Sequence, residues 1–159
     1  VKAPVLRAEL RLREQIGEYE PGASMRSPER VAAVIGPELR TLTVEQFWVL
    51  VVDGKHRLSA AVRVSEGTLT ASIVHPREVF RPAVLHGGAA ILLVHNHPSG
   101  DPGPSTEDVE VTRRMVEVGR LLGIPVLDHV IIGSDDPGGS AGFDGCPGYV
   151  SLRERGVVS

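Results

Sequence analysis

The sequence predicts an α/β domain in which a mixed central β-sheet is flanked by helices. Three observations point to it. Two apolar runs of six residues, Phe47–Val52 and Ala89–Val94, are bounded by turn signals; stretches with helical periodicity lie between and around them; and 159 residues suffice to bury one core. Hydrophobic residues make up 42% of the chain, as in an ordinary globular protein. Neither run approaches the ~20 residues needed to span a bilayer, so no membrane segment is expected.

The elements follow in order. Val5, Leu6, Leu10, Leu12 and Ile16 recur at roughly helical spacing among charges, which gives an amphipathic helix over residues 4–18 ending near Gly17. Tyr19 to Ser27 reads as a linker, and Ser27-Pro28 is a helix-start signature. The predicted organisation is therefore an N-terminal helix and linker over residues 1–26 and a main domain over residues 27–159. A short helix from Pro28 should stop at Gly36-Pro37, and a second should begin near Thr43 and carry Glu45. Phe47–Val52 is a buried strand, Asp53-Gly54 a hairpin turn, and the return strand starts at His56. Glu66-Gly67 turns the chain again into a strand over Thr68–Val74, completing a meander.

His75-Pro76 opens a helix with Val79, Phe80, Ala83, Val84, Leu85 and His86 on one broad face, closed by Gly87-Gly88. Ala89–Val94 is a central strand covered on both faces. After the loop HNHPSGDPGP, a helix runs from Ser105 to Leu122, with Val109, Thr112, Met115, Val116, Val118 and Leu121 available for packing. Gly123 is its C-cap. Pro125–Ile132 is another strand, and the fifteen residues from Ser134 to Gly148, rich in Gly, Asp, Ser and Pro, read as an exposed loop.

Composition narrows the function. The first twenty residues carry seven charges from Arg7 to Glu20 and no uninterrupted apolar stretch, so no secretory leader is read there and a cytoplasmic location is expected. Cys146 is the single cysteine, which leaves neither a disulfide framework nor a thiolate cluster; a metal would need His and carboxylate ligands. Net charge is −3, and residues 1–40 hold seven basic against six acidic side chains. No electrostatic footprint of a nucleic-acid partner is present in that balance.

His95 and His97 follow a buried strand, and its period of two places both on one face. The Gly- and Pro-rich turn after them lets Asp108, eleven residues beyond His97, face back from the first turn of the next helix. Two imidazoles and a carboxylate form a three-ligand set for catalytic zinc, with the fourth position left for water. The alternative is that the histidines are solvated and Asp108 serves only the helix dipole.

The stretch AAILLVHNHPSGDPGPSTED resembles the metal motif of the JAB/MPN (JAMM) family, H-x-H-P followed by S-x-x-D, and within it the RadC branch. EQFWVLVVD, GTLTASIVHPREVF and IPVLDHVIIG resemble RadC segments in the same order, so the resemblance covers roughly residues 27–159. It implies a cytidine-deaminase-like fold, one Zn²⁺ per chain held by His95, His97 and Asp108, and hydrolysis of a peptide or isopeptide bond in a protein or peptide substrate. The family glutamate falls on Glu45, as the base that takes a proton from the activated water and passes it to the leaving amine. The motif serine falls on Ser105, which either polarises the scissile carbonyl or caps the helix in a box with Asp108; the two roles are compatible.

His129, beside Asp128, reads as a satisfied core histidine, and His56, His75 and His86 have no motif support. Phe47 and Trp48 read as core, and Arg77 as a surface residue at a helix start. Two other functions fit the resemblance. One is a DNA-repair role, as a metal-dependent nuclease or DNA-associated module, against which stand the acidic balance and the single clear carboxylate ligand. The other is a catalytically silent scaffold, which would be expected to have lost ligands that this chain keeps. The helix-hairpin-helix domain usual before this domain in RadC proteins has no counterpart in the sequence beyond, at most, its last helix in residues 1–18.

Overall fold

The computed structural model describes residues 22–70, 74–134 and 148–159. The predicted helix over residues 4–18, part of the predicted strand 68–74, and the loop containing Cys146 lie outside them. Among the described residues three helices and five strands follow in the order α1 (Pro28–Leu39), β1 (Gln46–Val52), β2 (Leu58–Glu66), α2 (Pro76–His86), β3 (Ala90–Asn96), α3 (Thr106–Leu122), β4 (Val126–Ile132) and β5 (Tyr149–Ser151). The sheet order is β2-β1-β3-β4-β5. Only β3 and β4 are parallel, joined by the α3 crossover; the other pairs are antiparallel. This is the expected mixed sheet between helices.

Alternation along the strands sorts the core into two layers. Leu50, Val52, Leu92, Val94, Val130 and Ile132 face Val31, Ile35 and Leu39 of α1. Val49, Val51, Ile91 and Leu93 face the opposite way, onto Val79, Phe80 and Ala83 of α2 and Val111 and Met115 of α3. All seven residues of β3 are buried, because helices cover both of its faces. Ala23 and Met25, read as linker, belong to the α1-side core, and residues 22–25 run beside Arg57–Leu58. No helix among the described residues is long and apolar enough to cross a membrane.

Several expectations are corrected. Helix α1 runs through Pro37 to Leu39 instead of stopping at Gly36-Pro37. Burying Leu39 completely returns about 1.5–3 kcal/mol, which offsets much of the ~3 kcal/mol cost of an internal proline. No helix forms at Thr43. The backbone there is committed elsewhere: the Asn96 side chain receives the Gln46 N–H and donates to the Val44 carbonyl, and the Glu45 carbonyl accepts from Gly67. The hairpin turn spans Asp53 to Arg57 and β2 starts at Leu58, since the Asp53 carboxylate collects the amides of Lys55 and Arg57. Thr68–Thr70 are not in a strand, so β1 lies between β2 and β3 and the meander is not formed among the described residues. Val84, His86 and Leu121 point outward from their helices, with Leu121 77% exposed.

Candidate metal centre

The two central strands and the crossover helix meet at one end of the sheet. In the β1–β3 register Phe47 stands opposite His95, which brings Glu45, two residues earlier, to the edge where β3 ends in His95-Asn96 and continues to His97. The chain then turns back through Gly100, at φ +88°, so that the first turn of α3 presents Asp108. Glu45, His95, His97 and Asp108 offer ligand atoms that all lie within 4.8 Å of one another. His95 Nε2 is 2.9 Å from His97 Nε2 and 3.1 Å from Asp108 Oδ1, and His97 Nε2 is 3.3 Å from Asp108 Oδ2. Glu45 stands farther off, with Oε1 3.9 Å from His95 Nε2.

Each of the three inner candidate ligands is held from behind. His97 Nδ1 lies 2.7 Å from the Asp101 carbonyl, which can only accept, so in the neutral ring Nδ1 carries the proton and Nε2 is a bare lone pair. That carbonyl is positioned by a loop packed on the end of β4. The His97 amide donates to Ile132, the Ser134 amide donates to Gly100, and a Cβ on Gly133 would stand 2.4 Å from the Gly100 carbonyl. Only glycine permits this approach.

Asp108 is fixed by a capping box: its Oδ2 accepts the Ser105 amide at 2.7 Å while its own amide donates to Ser105 Oγ at 3.1 Å. Ser105 therefore does cap the helix, and its hydroxyl proton is not consumed by that bond. Burial pushes the Asp108 carboxyl upward, but the hydrogen bonds that His95 and His97 give it when a proton sits on the facing nitrogen outweigh burial and hold the group far below the usual carboxylate range. Burial likewise depresses His97, yet Asp108 and the Asp101 carbonyl raise it above its ordinary value.

Residues that the sequence reading left in the core complete the surroundings. His129, fully buried on β4, places Nε2 2.8 Å from His95 Nδ1, and its Nδ1 meets Thr112 Oγ1 of α3 at 2.5 Å. Burial and the neighbouring His95 keep His129 well below the ordinary histidine value, hence neutral. Phe47 stacks on His95 and meets His129 edge-on, with ring centroids 6.1 and 5.5 Å apart. Asn96, on the opposite face of β3, clasps the backbone on both sides of Glu45. Parity along β3 and helical spacing from Asp108 to Thr112 were available in the sequence, but the His129 pairing depends on the β3–β4 register.

The donor set suits a cation. Zinc bonds of ~2.0–2.2 Å to nitrogen and oxygen in a tetrahedron separate neighbouring ligand atoms by ~3.3–3.5 Å. Among the three inner candidate ligands the separation of 3.3 Å lies at the lower edge of that range, and those of 2.9 and 3.1 Å are shorter than it. Small side-chain movements are enough to seat an ion, and other divalent ions favour the same nitrogen and oxygen donors.

A family profile described as a RadC-like JAB domain matches residues 25–157. Over 159 residues the chain is 48% identical to a UPF0758 protein of Syntrophotalea carbinolica, which covers 99% of this chain and 65% of that one. A UPF0758 protein of Geotalea uraniireducens is 50% identical, again over 99% of this chain, and 64% of its own length is covered. One from Geobacter sulfurreducens is 55% identical over 107 residues, covering 67% of this chain and 47% of that protein. The chain thus spans between about half and two thirds of the length of these curated relatives.

Proposed function

The chain belongs to the RadC-like JAB domain family, and from that premise we propose that it is a zinc-dependent hydrolase of peptide or isopeptide bonds. The observation that carries this reading is the convergence of two imidazole nitrogens and a buried carboxylate within 3.3 Å of one another. His95, His97 and Asp108 would hold the ion. Bound there, zinc supplies Lewis-acid activation of water and of the scissile carbonyl.

The chain's own residues do the rest. Glu45, set back from the three ligands, is placed to serve as a base: it takes a proton from the attacking water as the new C–O bond forms. The same proton then goes to the nitrogen as the C–N bond breaks, and the second water proton passes from the new carboxylic acid to the amine, leaving a carboxylate and an ammonium group. Ser105 keeps a hydroxyl proton that can be donated to the developing oxyanion, a contact of the kind that contributes about 2.7–4 kcal/mol elsewhere. The substrate is a peptide or isopeptide in a protein tail.

Elemental analysis of the purified protein tests the reading. About one zinc per chain is expected in the wild type, lost in His97→Ala and retained in Glu45→Gln, which should cleave no peptide or isopeptide substrate. A wild type that takes up no metal after zinc incubation overturns the hydrolase and leaves a scaffold role.

A further inference from the structure

Three hydrogen-bonding groups, the Asp108 carbonyl, the Thr112 hydroxyl and His129, form a chain that ends on His95. Thr112 Oγ1 lies 2.6 Å from the Asp108 carbonyl and 2.5 Å from His129 Nδ1. A carbonyl only accepts, so the single hydroxyl proton is committed to it. The hydroxyl oxygen must then receive a hydrogen from His129 Nδ1. His129 is sealed from solvent, and among the described residues its ring nitrogens meet His95 and Thr112 and no carboxylate, so it carries one proton and its Nε2 can only accept. The contact at 2.8 Å to His95 Nδ1 is a hydrogen bond only if His95 donates. With Nδ1 protonated, the neutral His95 ring presents a bare Nε2 to Asp108 and His97. Running the chain the other way leaves Thr112 without a proton for the Asp108 carbonyl and puts a hydrogen on the nitrogen that faces the cluster.

We infer that Thr112 and His129 are positioning residues that fix the tautomer of His95, so that its Nε2 is kept as a lone pair aimed into the metal centre. This inference rests on the metal-site reading above. His97 gets the same result from one backbone carbonyl, whereas His95, buried near the end of β3, borrows one through two side chains. The borrowed carbonyl is that of Asp108, so one residue supplies a ligand oxygen from its side chain and the anchor of the relay from its backbone. Helix α3 thereby sets both Asp108 and, through Thr112, the ring of His95.

The test combines a tautomer measurement with metal affinity on the full chain. Long-range ¹⁵N–¹H imidazole spectra of the metal-free wild type, at a pH where the rings are neutral, should show His95 and His129 protonated at Nδ1 and bare at Nε2. A His95 ring protonated at Nε2 overturns the proposal, and this reading needs neither a variant nor bound zinc. In Thr112→Val, which keeps the shape and removes the hydroxyl, His95 should lose the single-tautomer signature and zinc affinity should fall about 10- to 100-fold, the range seen when such supporting partners are removed. Thr112→Ser should restore both. Equal zinc affinity in the valine and serine variants also overturns it. A wild type that binds no zinc sinks the metal-site reading instead, while the tautomer spectrum still decides the relay.

Discussion

Asp108 and Asp128 are both buried, at 1% and 2% exposure, and both belong to polar clusters near the ends of the same parallel strand pair. Their partners differ in kind. Asp128 Oδ1 accepts the amides of His129 and Arg153, and Oδ2 accepts the Ser151 hydroxyl at 2.6 Å, so its lone pairs are met by hydrogens the fold provides. Asp108 receives one backbone hydrogen, at Oδ2, and otherwise faces two imidazole nitrogens. Burial lifts Asp128 above the usual carboxylate range even against its three donors. In Asp108 the imidazoles overcome the same burial and pull it the other way. A buried carboxylate saturated by N–H and O–H groups is a structural knot, whereas one aimed at other acceptors requires a proton or a cation between them. Burial alone does not separate the two cases; the direction of the hydrogens does.

Substitutions at the two aspartates and their serines can break or sharpen this contrast. Asp108→Ala should give the largest effect, a loss of zinc affinity exceeding ~100-fold, since even partners behind a ligand contribute 10- to 100-fold; equilibrium dialysis measures it. The variant should still fold. Asp128→Ala should do the reverse, lowering unfolding free energy by about 2–3 kcal/mol because three donors, two of them buried, lose their acceptor. Its folded fraction should keep zinc affinity within ~3-fold; urea titration followed by dialysis separates the two readings. Ser151→Ala, which removes one of those donors, should cost about 1–2 kcal/mol by urea titration. Ser105→Ala should cost about 1 kcal/mol for the lost cap. If Ser105 also serves the oxyanion, the same variant loses turnover at unchanged metal content, and steady-state kinetics beside elemental analysis decides it.

Much of the architecture was legible from local pattern. The six-residue apolar runs became β1 and β3, and Ser105 and Gly123 bracket α3 as predicted. The H-x-H spacing put two rings on one face, with centroids 4.8 Å apart. What local pattern could not show depended on distant partners. The sequence around Thr43 is compatible with a helix until Asn96, more than fifty residues away, takes its backbone groups. Pro37 signals a stop, yet the sheet surface beneath Leu39 extends the helix beyond it. Thr112 and His129 read as core, and only the parallel register of β3 and β4 turns them into a hydrogen-bonded pair behind His95. Gly133 carried no signal, because its close approach to Gly100 exists only once the loop has folded back. The short strand β5, which brings Ser151 to Asp128, was likewise unreadable in three residues.

The capping box of α3 has a kinetic consequence. One oxygen of Asp108 both closes the first turn of the helix and faces His97. The rotamer that metal ligation by Asp108 would require is therefore the rotamer that helix initiation already selects. The ordering of this side chain belongs to the folding step, and little conformational entropy remains to be lost when an ion arrives. Small metal domains behave differently, since their ligands assemble only as the ion binds. Uptake by this chain should be a single fast phase, governed by how quickly the ion sheds its hydration shell and not by motion of the protein.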